Sequence, residues 1–233
     1  MRVLLTRPAE DAEPFAQMLA ARGHQAVIAP LLEIRFRDGV EIPLEGVQAI
    51  LATSANGVRA MARRTARRDI AVFAVGPQTT QEALSAGFTD VRNADGDGAA
   101  LARAAAQWAS PEKGVLLHAA GAETPKYLAA ELEKHGFTVR REVLYEAVAA
   151  QRLPDAAIAA LKDEALDAVM HFSPRSARLF CELAQESKLQ SRCERLAALC
   201  ISEAAADAAA ALKFRQIRVA KTPSQEAMLA LLE

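Results

Sequence analysis

The sequence lacks a surplus of charge, a disulfide framework and a long hydrophobic run. Its 28 Lys and Arg residues balance 29 Asp and Glu residues, which excludes a global polycation that would bind nucleic acid or an anionic membrane. The three cysteines, Cys181, Cys193 and Cys200, are odd in number and predict reduced thiols. No apolar stretch approaches the roughly 20 residues of a membrane helix. The apolar stretch at the N-terminus is too short for a signal peptide. These absences predict a cytoplasmic protein without nucleic-acid or membrane partners.

Motifs for nucleotides, metals and nucleophilic triads are lacking as well. No G-x-G-x-x-G follows the first predicted strand and no G-x-x-x-x-G-K-[ST] occurs, which disfavours dinucleotides and P-loop nucleotides. None of the four histidines is spaced with a cysteine or another histidine as metal ligands are. Neither Ser54 nor Ser173 lies in a G-x-S-x-G elbow. The sequence therefore predicts no metal site, and nothing in it calls for a nucleotide cofactor.

What the sequence does contain is an α/β pattern. Hydrophobic residues make up 52% of 233 positions, enough to bury the core of one large domain or two small ones. Residues 2–6 and 25–29 are short apolar strand candidates, and the amphipathic segment 11–22 between them ends at Gly23. Similar alternation continues along the chain. It predicts parallel sheets with helices on both faces.

Three segments recur in the same order, which indicates an internal duplication. The matched pairs are residues 3–6 with 115–118, 49–59 with 168–178, and 75–80 with 201–206. We therefore expect two similar Rossmann-like or flavodoxin-like domains with a cleft between them. Clefts between domains are preferred ligand sites, and ligands of parallel sheets lie outside the carboxyl ends of the strands.

Polar turns occupy those strand ends. Residues 53–57, 76–80 and 173–176 each follow an apolar strand and open a helix. Helix N-termini carry partial positive charge and bind anions, so the repeated turns predict a ligand with many carboxylates or phosphates. Alternatively, their Ser, Thr and Asn side chains only cap the helices.

Tyr145 is a second candidate for chemistry. It lies in a segment that duplicates residues 30–33, where the chain could cross between the domains. A tyrosine is protonated at neutral pH and can donate a proton or a hydrogen bond. The alternative is an amphipathic residue that fills a hinge.

Taken in order, several of these motifs resemble uroporphyrinogen-III synthase. The matching segments are residues 3–8, 53–58, 75–80 and 172–177, together with Tyr145 after Val143 and Leu144. The resemblance implies an enzyme of haem biosynthesis, a lyase that closes linear hydroxymethylbilane into uroporphyrinogen III. The last pyrrole ring is inverted and water is lost, without a metal or cofactor. The substrate carries eight carboxylates, and the reaction passes through a cationic azafulvene and a spiro intermediate.

The resemblance also implies roles for individual residues. Tyr145 matches the family's candidate acid, and Thr79 matches the threonine of its G-x-x-T turn. The expected substrate-binding residues are Thr6, Arg7, Ser54, Asn56, Gly57, Gly76, Thr79, Thr80, Gly121, Ser173, Arg175, Ser176 and Ser202. Two positions depart from the family. Residues 202–205 read Ser-Glu-Ala-Ala in place of a second G-x-x-T turn, and Lys126 stands where an arginine often follows Gly121.

The family's layout implies exchanged domains. Residues 1–35 with 148–233 would form a discontinuous first domain, residues 36–147 the second, and strands near 34–37 and 141–147 would link them. A monomer and a transient contact with hydroxymethylbilane synthase are expected. Two other functions remain open from the residues alone: a two-domain binding protein for a small polyanion, and a nucleotide-sugar transferase, which the short length and the lack of nucleotide motifs disfavour.

Overall fold

A computed structural model describes residues 1–124 and 127–233, which form two compact units. Unit 1 comprises Met1–Glu33 and Val148–Glu233, and unit 2 comprises Ile34–Ala147. Each unit contains one sheet with parallel strand pairs and flanking helices, which confirms the predicted α/β class. In the described part of the chain, no helix has the length and apolar character needed to cross a membrane.

The elements alternate between strand and helix along most of the chain. In chain order they are β1 (Arg2–Leu5), α1 (Ala9–Ala20), β2 (Gln25–Ile28), β3 (Leu32–Phe36), β4 (Val47–Ala52), α2 (Ala55–Arg64), β5 (Ala71–Ala74), α3 (Pro77–Ser85), β6 (Val91–Asn93), α4 (Gly98–Trp108), β7 (Val115–Gly121), α5 (Tyr127–Lys134), β8 (Val139–Ala149), α6 (Asp155–Lys162), β9 (Ala168–His171), α7 (Pro174–Glu186), α8 (Gln190–Cys193), β10 (Ala197–Cys200), α9 (Glu203–Ala209), β11 (Gln216–Val219) and α10 (Gln225–Ala230). A 3₁₀ turn lies between α4 and β7.

The sheet of unit 1 has five strands in the order β11-β10-β9-β1-β2, and its neighbouring strands pair in parallel. Because side chains alternate across a strand, Val3 and Leu5 pack into the core on one face while Leu4 packs into the core on the other. The continuous apolar runs in the sequence follow from this burial on both faces.

The sheet of unit 2 has six strands in the order β3-β8-β7-β4-β5-β6. Parallel pairs join β8 to β7, β7 to β4, β4 to β5 and β5 to β6. On β4, Ile50 and Ala52 face one core whereas Ala49 and Leu51 face the other. This sheet is therefore also covered on both faces.

The sequence repeats lie on corresponding strands of the two sheets. The order β2-β1-β9-β10-β11 in unit 1 matches β8-β7-β4-β5-β6 in unit 2. Residues 3–6 thus begin in β1 and residues 115–118 lie in β7, and these two strands have equivalent places in their sheets. Strands β9 and β4 also have equivalent places. In unit 1 the strand pair β1 and β2 precedes the other three in sequence, whereas in unit 2 the pair β7 and β8 follows them.

The chain passes between the units twice, both times within a strand. One boundary falls between Glu33 and Ile34 in β3, and the other between Ala147 and Val148 in β8. The two strands are neighbours in one sheet, and Arg37 N–H donates to the Leu144 carbonyl over 2.8 Å. The two connections are therefore hydrogen-bonded to each other.

Candidate functional site

Two polar residues and two glycines lie near one edge of the sheet in unit 2, on or just after four adjacent strands. Ser54 follows β4, Gly76 follows β5, Gly121 ends β7, and Tyr145 lies on β8. Parallel strands place these ends on one edge of the sheet. The chain order reverses between β7 and β4, and such a switch point is where open α/β sheets bind ligands.

Tyr145 is hydrogen-bonded to Ser54 across this edge. The Tyr145 Oη and Ser54 Oγ atoms lie 2.8 Å apart, and only 8% of Tyr145 is exposed. The strand between them is β7, on which Gly121 pairs with Tyr145. A Cβ atom at Gly121 would lie 2.8 Å from Tyr145 Cζ and 3.0 Å from its Oη, so the phenol ring occupies the space that any other residue would fill. Tyrosine can reach Ser54 because residue 121 is glycine.

Ser54 also caps helix α2. Its Oγ accepts a hydrogen bond of 3.1 Å from the Gly57 N–H, which satisfies one of the free amides of the first turn. Gly57 approaches β7 closely, because a Cβ there would lie 2.6 Å from the Ala119 carbonyl oxygen. Asn56 accepts a hydrogen bond of 3.0 Å from Arg59, which also pairs with Glu82.

The next turn opens helix α3. Gly76 is its N-cap, has no side chain to cap with, and accepts from Thr80 N–H and Thr80 Oγ1 through its carbonyl. Thr79 is 4% exposed, whereas Thr80 is half-buried. Of the two threonines predicted to hold substrate, Thr80 has the more accessible side chain.

His118 and Arg141 lie on neighbouring positions of β7 and β8. The Nε2 of His118 is 3.4 Å from Thr53 Oγ1, and burial, together with the charge of Arg141, lowers the pKa of His118 to about 4. Arg141 donates to the Gly121 carbonyl over 2.8 Å and also approaches the Thr124 carbonyl. This arginine therefore holds the turn after β7.

In unit 1, Thr6 and Arg7 are buried. Thr6 Oγ1 donates to the Met170 carbonyl over 3.3 Å, which ties the end of β1 to β9. The Arg7 guanidinium carbon is 4.2 Å from the centre of the Phe172 ring, and its Nη2 is 3.5 Å from Asp11. At 5% exposure, Arg7 places a positive charge just beneath the surface at the end of β1.

The serine turns of unit 1 are helix caps. Ser173 Oγ accepts from the Ser176 N–H over 3.1 Å and lies 3.0 Å from the Ser176 hydroxyl, at the start of α7. Arg175, in the same turn, is partly exposed. Ser202 caps α9 by accepting from Ala205 N–H. Ser54, Ser173 and Ser202 thus all cap helices, and capping leaves each hydroxyl proton available for a further bond.

His171 and the three cysteines differ from the polar turns because they are buried in apolar surroundings. Burial among phenyl rings lowers the pKa of His171 to about 3. Burial raises the pKa of the thiols to about 11 or 12. Residues 1–124 and 127–233 include no cluster of His, Cys, Asp and Glu that could hold a metal ion.

Sequence reasoning identified the turns of unit 2 but missed how they connect. The bond between Tyr145 and Ser54 depends on the register of β8 against β7, which no sequence motif gives. Arg141 was also missed, since one arginine in a strand carries no signal of its carbonyl partners. Lys126 lies outside the described residues.

Comparison with known proteins identifies the relatives of this chain. The family profile described as uroporphyrinogen-III synthase HemD matches residues 13–230. A Methanocaldococcus jannaschii protein, named provisionally as a uroporphyrinogen-III synthase, is 38% identical over 58 residues, about a quarter of each chain. The Helicobacter pylori uroporphyrinogen-III synthetase structure superposes with a TM-score of 0.63 at 18% identity, covering 100% of this chain and 98% of that one. A mutant uroporphyrinogen III synthase from Thermus thermophilus gives 0.54 at 17% identity, covering 100% and 97%. At these identities the two structures support the fold alone.

Proposed function

Because the chain belongs to the uroporphyrinogen-III synthase family, enzymes of tetrapyrrole biosynthesis, we propose that it converts hydroxymethylbilane to uroporphyrinogen III with inversion of the last pyrrole ring and loss of water. The observation that carries the proposal is the phenol of Tyr145, held 2.8 Å from Ser54 at the sheet edge where the chain order reverses between β7 and β4. The proposal includes a monomeric, cytoplasmic protein that contacts hydroxymethylbilane synthase transiently.

In the proposed reaction Tyr145 acts as general acid. Its hydroxyl donates a proton to the departing hydroxyl group of the bilane, and water leaves with the electrons of the broken C–O bond. The resulting azafulvene cation is attacked by the substituted carbon of the last pyrrole, which gives the spiro intermediate. That intermediate fragments and closes again in the inverted sense, and the proton lost at the final ring closure restores the phenol. Proton transfer of this kind typically contributes 10²–10⁴-fold.

The carboxylates of the bilane would be held by polar turns at the carboxyl ends of parallel strands. Backbone amides at helix N-termini and nearby arginines bind carboxylates without a basic surface elsewhere. Arg7 and Arg175 supply charge at the strand ends of unit 1, and the turns at Ser54 and Gly76 supply amides in unit 2. These contacts would bend the linear bilane so that ring closure with inversion competes with direct ring closure.

The test is incubation of the purified protein with freshly generated hydroxymethylbilane, followed by separation of the two isomers. We expect isomer III. If only isomer I forms, as in the spontaneous reaction, the enzymatic proposal is wrong, and a polyanion-binding protein is the remaining interpretation when the protein still binds the product.

The acid role is tested with Tyr145→Phe, using Tyr127→Phe as the matched control. Tyr127 is the other of the two tyrosines in the chain and is 53% exposed on α5. We expect Tyr145→Phe to lower the rate by up to the 10²–10⁴-fold range of general acid catalysis, and Tyr127→Phe to match the wild type. An unchanged rate and isomer ratio in Tyr145→Phe would refute the assignment.

A further inference from the structure

The hydrogen bond between Ser54 and Tyr145 has a direction that the surrounding contacts constrain. A serine hydroxyl has one proton to donate and two lone pairs to accept with. One lone pair of Ser54 Oγ already accepts from the Gly57 N–H over 3.1 Å. The proton of Ser54 remains, and Tyr145 Oη lies 2.8 Å away to accept it.

The direction of that bond decides where the phenolic proton points. If Tyr145 donates to Ser54, its proton is used inside the protein. If Ser54 donates to Tyr145, the phenolic proton is free to point toward a bound ligand, and the phenol oxygen keeps a donor that stabilises it once the proton has left. The amide that Gly57 directs at Ser54 Oγ lies in the first turn of α2, where the helix dipole is positive. This polarisation favours Ser54 as the donor.

The phenol has little freedom to leave this arrangement. Tyr145 is 8% exposed, and its ring fills the space above Gly121, where a Cβ would lie 2.9 Å from Cε2. The strand register that pairs Gly121 with Tyr145 fixes the ring from below. In unit 1 the corresponding serine, Ser173, has the hydroxyl of Ser176 as its neighbour at 3.0 Å. The two serine turns therefore differ in what their hydroxyls contact.

We infer that Ser54 is a positioning residue for Tyr145: it donates its hydroxyl proton to the phenol oxygen, directs the phenolic proton outward, and stabilises the phenolate that forms when that proton is transferred. This inference rests on the proposed function. It replaces the expectation that Ser54 binds substrate, because both hydrogen-bonding directions of its hydroxyl are then used within the protein. Gly121 takes part by leaving room for the phenol.

The inference is tested with Ser54→Gly and Ser54→Thr. Glycine is a tolerated N-cap, so Ser54→Gly removes the hydroxyl while α2 remains folded. Threonine keeps both the cap and the hydroxyl. The matched control is Ser224→Gly, since Ser224 caps α10 in the same way by accepting from Ala227 N–H over 3.1 Å. Urea unfolding of each variant verifies the fold.

We expect Ser54→Gly to lower kcat roughly ten- to a hundred-fold with KM unchanged, below the full range for a general acid. Ser54→Thr should recover most of the rate, and Ser224→Gly should match the wild type. In the Tyr145→Phe background, Ser54→Gly should have no further effect, because a residue that acts through Tyr145 has nothing left to position. Gly121→Ala should reproduce the Tyr145→Phe phenotype by displacing the ring.

Three results would overturn the inference. A raised KM with unchanged kcat in Ser54→Gly would show that Ser54 binds the substrate. An additive loss in the double variant would show that it acts independently of Tyr145. A wild-type rate in Ser54→Gly would show that the hydroxyl has no role. All three require isomer III from the wild type; if the wild type forms only isomer I, the proposed function fails and the positioning role fails with it.

Discussion

Acid should destabilise this protein, with His171 supplying a large share of the effect. The side chain is fully buried, its ring centre lies 5.5 Å from that of Phe180 and 6.4 Å from that of Phe214, and neither ring nitrogen has a hydrogen-bond partner among the described residues. Burial lowers its pKa from 6.5 to about 3. The folded protein therefore holds His171 neutral at pH values where the unfolded chain binds a proton.

The sign and size of the effect follow from that difference. Stability is complete above the unfolded pKa of 6.5, falls as the pH drops through 6.5, and stops falling near pH 3, where the folded state also binds the proton. Each pH unit within this window costs about 1.4 kcal/mol. Near pH 5 the loss from His171 is thus about 2 kcal/mol. His118, whose pKa is lowered to about 4, should add a similar loss within unit 2.

The assay compares the free energy of unfolding in urea near pH 8 and near pH 5 for the wild type and His171→Leu. Trp108, the only tryptophan, reports on unit 2 by fluorescence, while circular dichroism reports on both units. His171→Leu should remove about 2 kcal/mol of the pH dependence seen by circular dichroism. Near pH 8 it should be neutral or stabilising by about 1 kcal/mol, since it replaces an unsatisfied buried polar group.

His135→Gln is the control, because His135 is 57% exposed. It should retain the part of the pH dependence that His171→Leu removes. If His171→Leu also keeps the full wild-type pH dependence, the reasoning from burial is refuted.

Three further outcomes are expected. Gly57→Ala should lower the stability of unit 2 by about 1–3 kcal/mol, measured by urea unfolding with Trp108 fluorescence, because the new Cβ would lie 2.6 Å from the Ala119 carbonyl oxygen. Arg141→Met should raise the pKa of His118 from about 4, because the charge of Arg141 is the second cause of that low pKa, next to burial. NMR titration of the ring protons measures it, and an unchanged pKa would contradict this reasoning. The three buried cysteines should resist a thiol reagent near pH 8 in the folded protein and react in urea, because burial raises their pKa to about 11 or 12.

The sequence was sufficient for the fold class because strands that are covered on both faces leave a simple apolar pattern in it. Residues 3–5 and 49–52 read as continuous apolar runs, and both strands are buried on both faces. The duplicated segments fixed which strands correspond, since equivalent strands carry equivalent polar turns. The sequence also predicted where β1 ends. It did not predict the burial of Thr6, because the hydroxyl of Thr6 bonds to the carbonyl of Met170, far along the chain.

The candidate site was predicted as a set of turns and not as a set of contacts. Ser54 and Tyr145 are 91 positions apart and meet through strand register, with a register shift between Ala120 and Gly121 that no local pattern announces. Long-range pairing of this kind is decided by tertiary packing. The assignment of Tyr145 as an acid and of the turns as substrate contacts stays a prediction until the variants are measured.

The division of unit 1 between the two ends of the chain has a consequence for synthesis on the ribosome. Strand β1 lies between β2 and β9, and the Thr6 hydroxyl is 164 positions from its carbonyl partner in Met170. All of unit 2, Ile34–Ala147, is translated before β9 exists. At typical translation rates, the segment β1-α1-β2 waits on the order of ten seconds with a bare strand edge and an apolar helix face. Nascent unit 2 can meanwhile complete its own sheet, so we expect it to fold first and unit 1 to close last. Premature termination anywhere before residue 168 would leave that edge open and prone to aggregation.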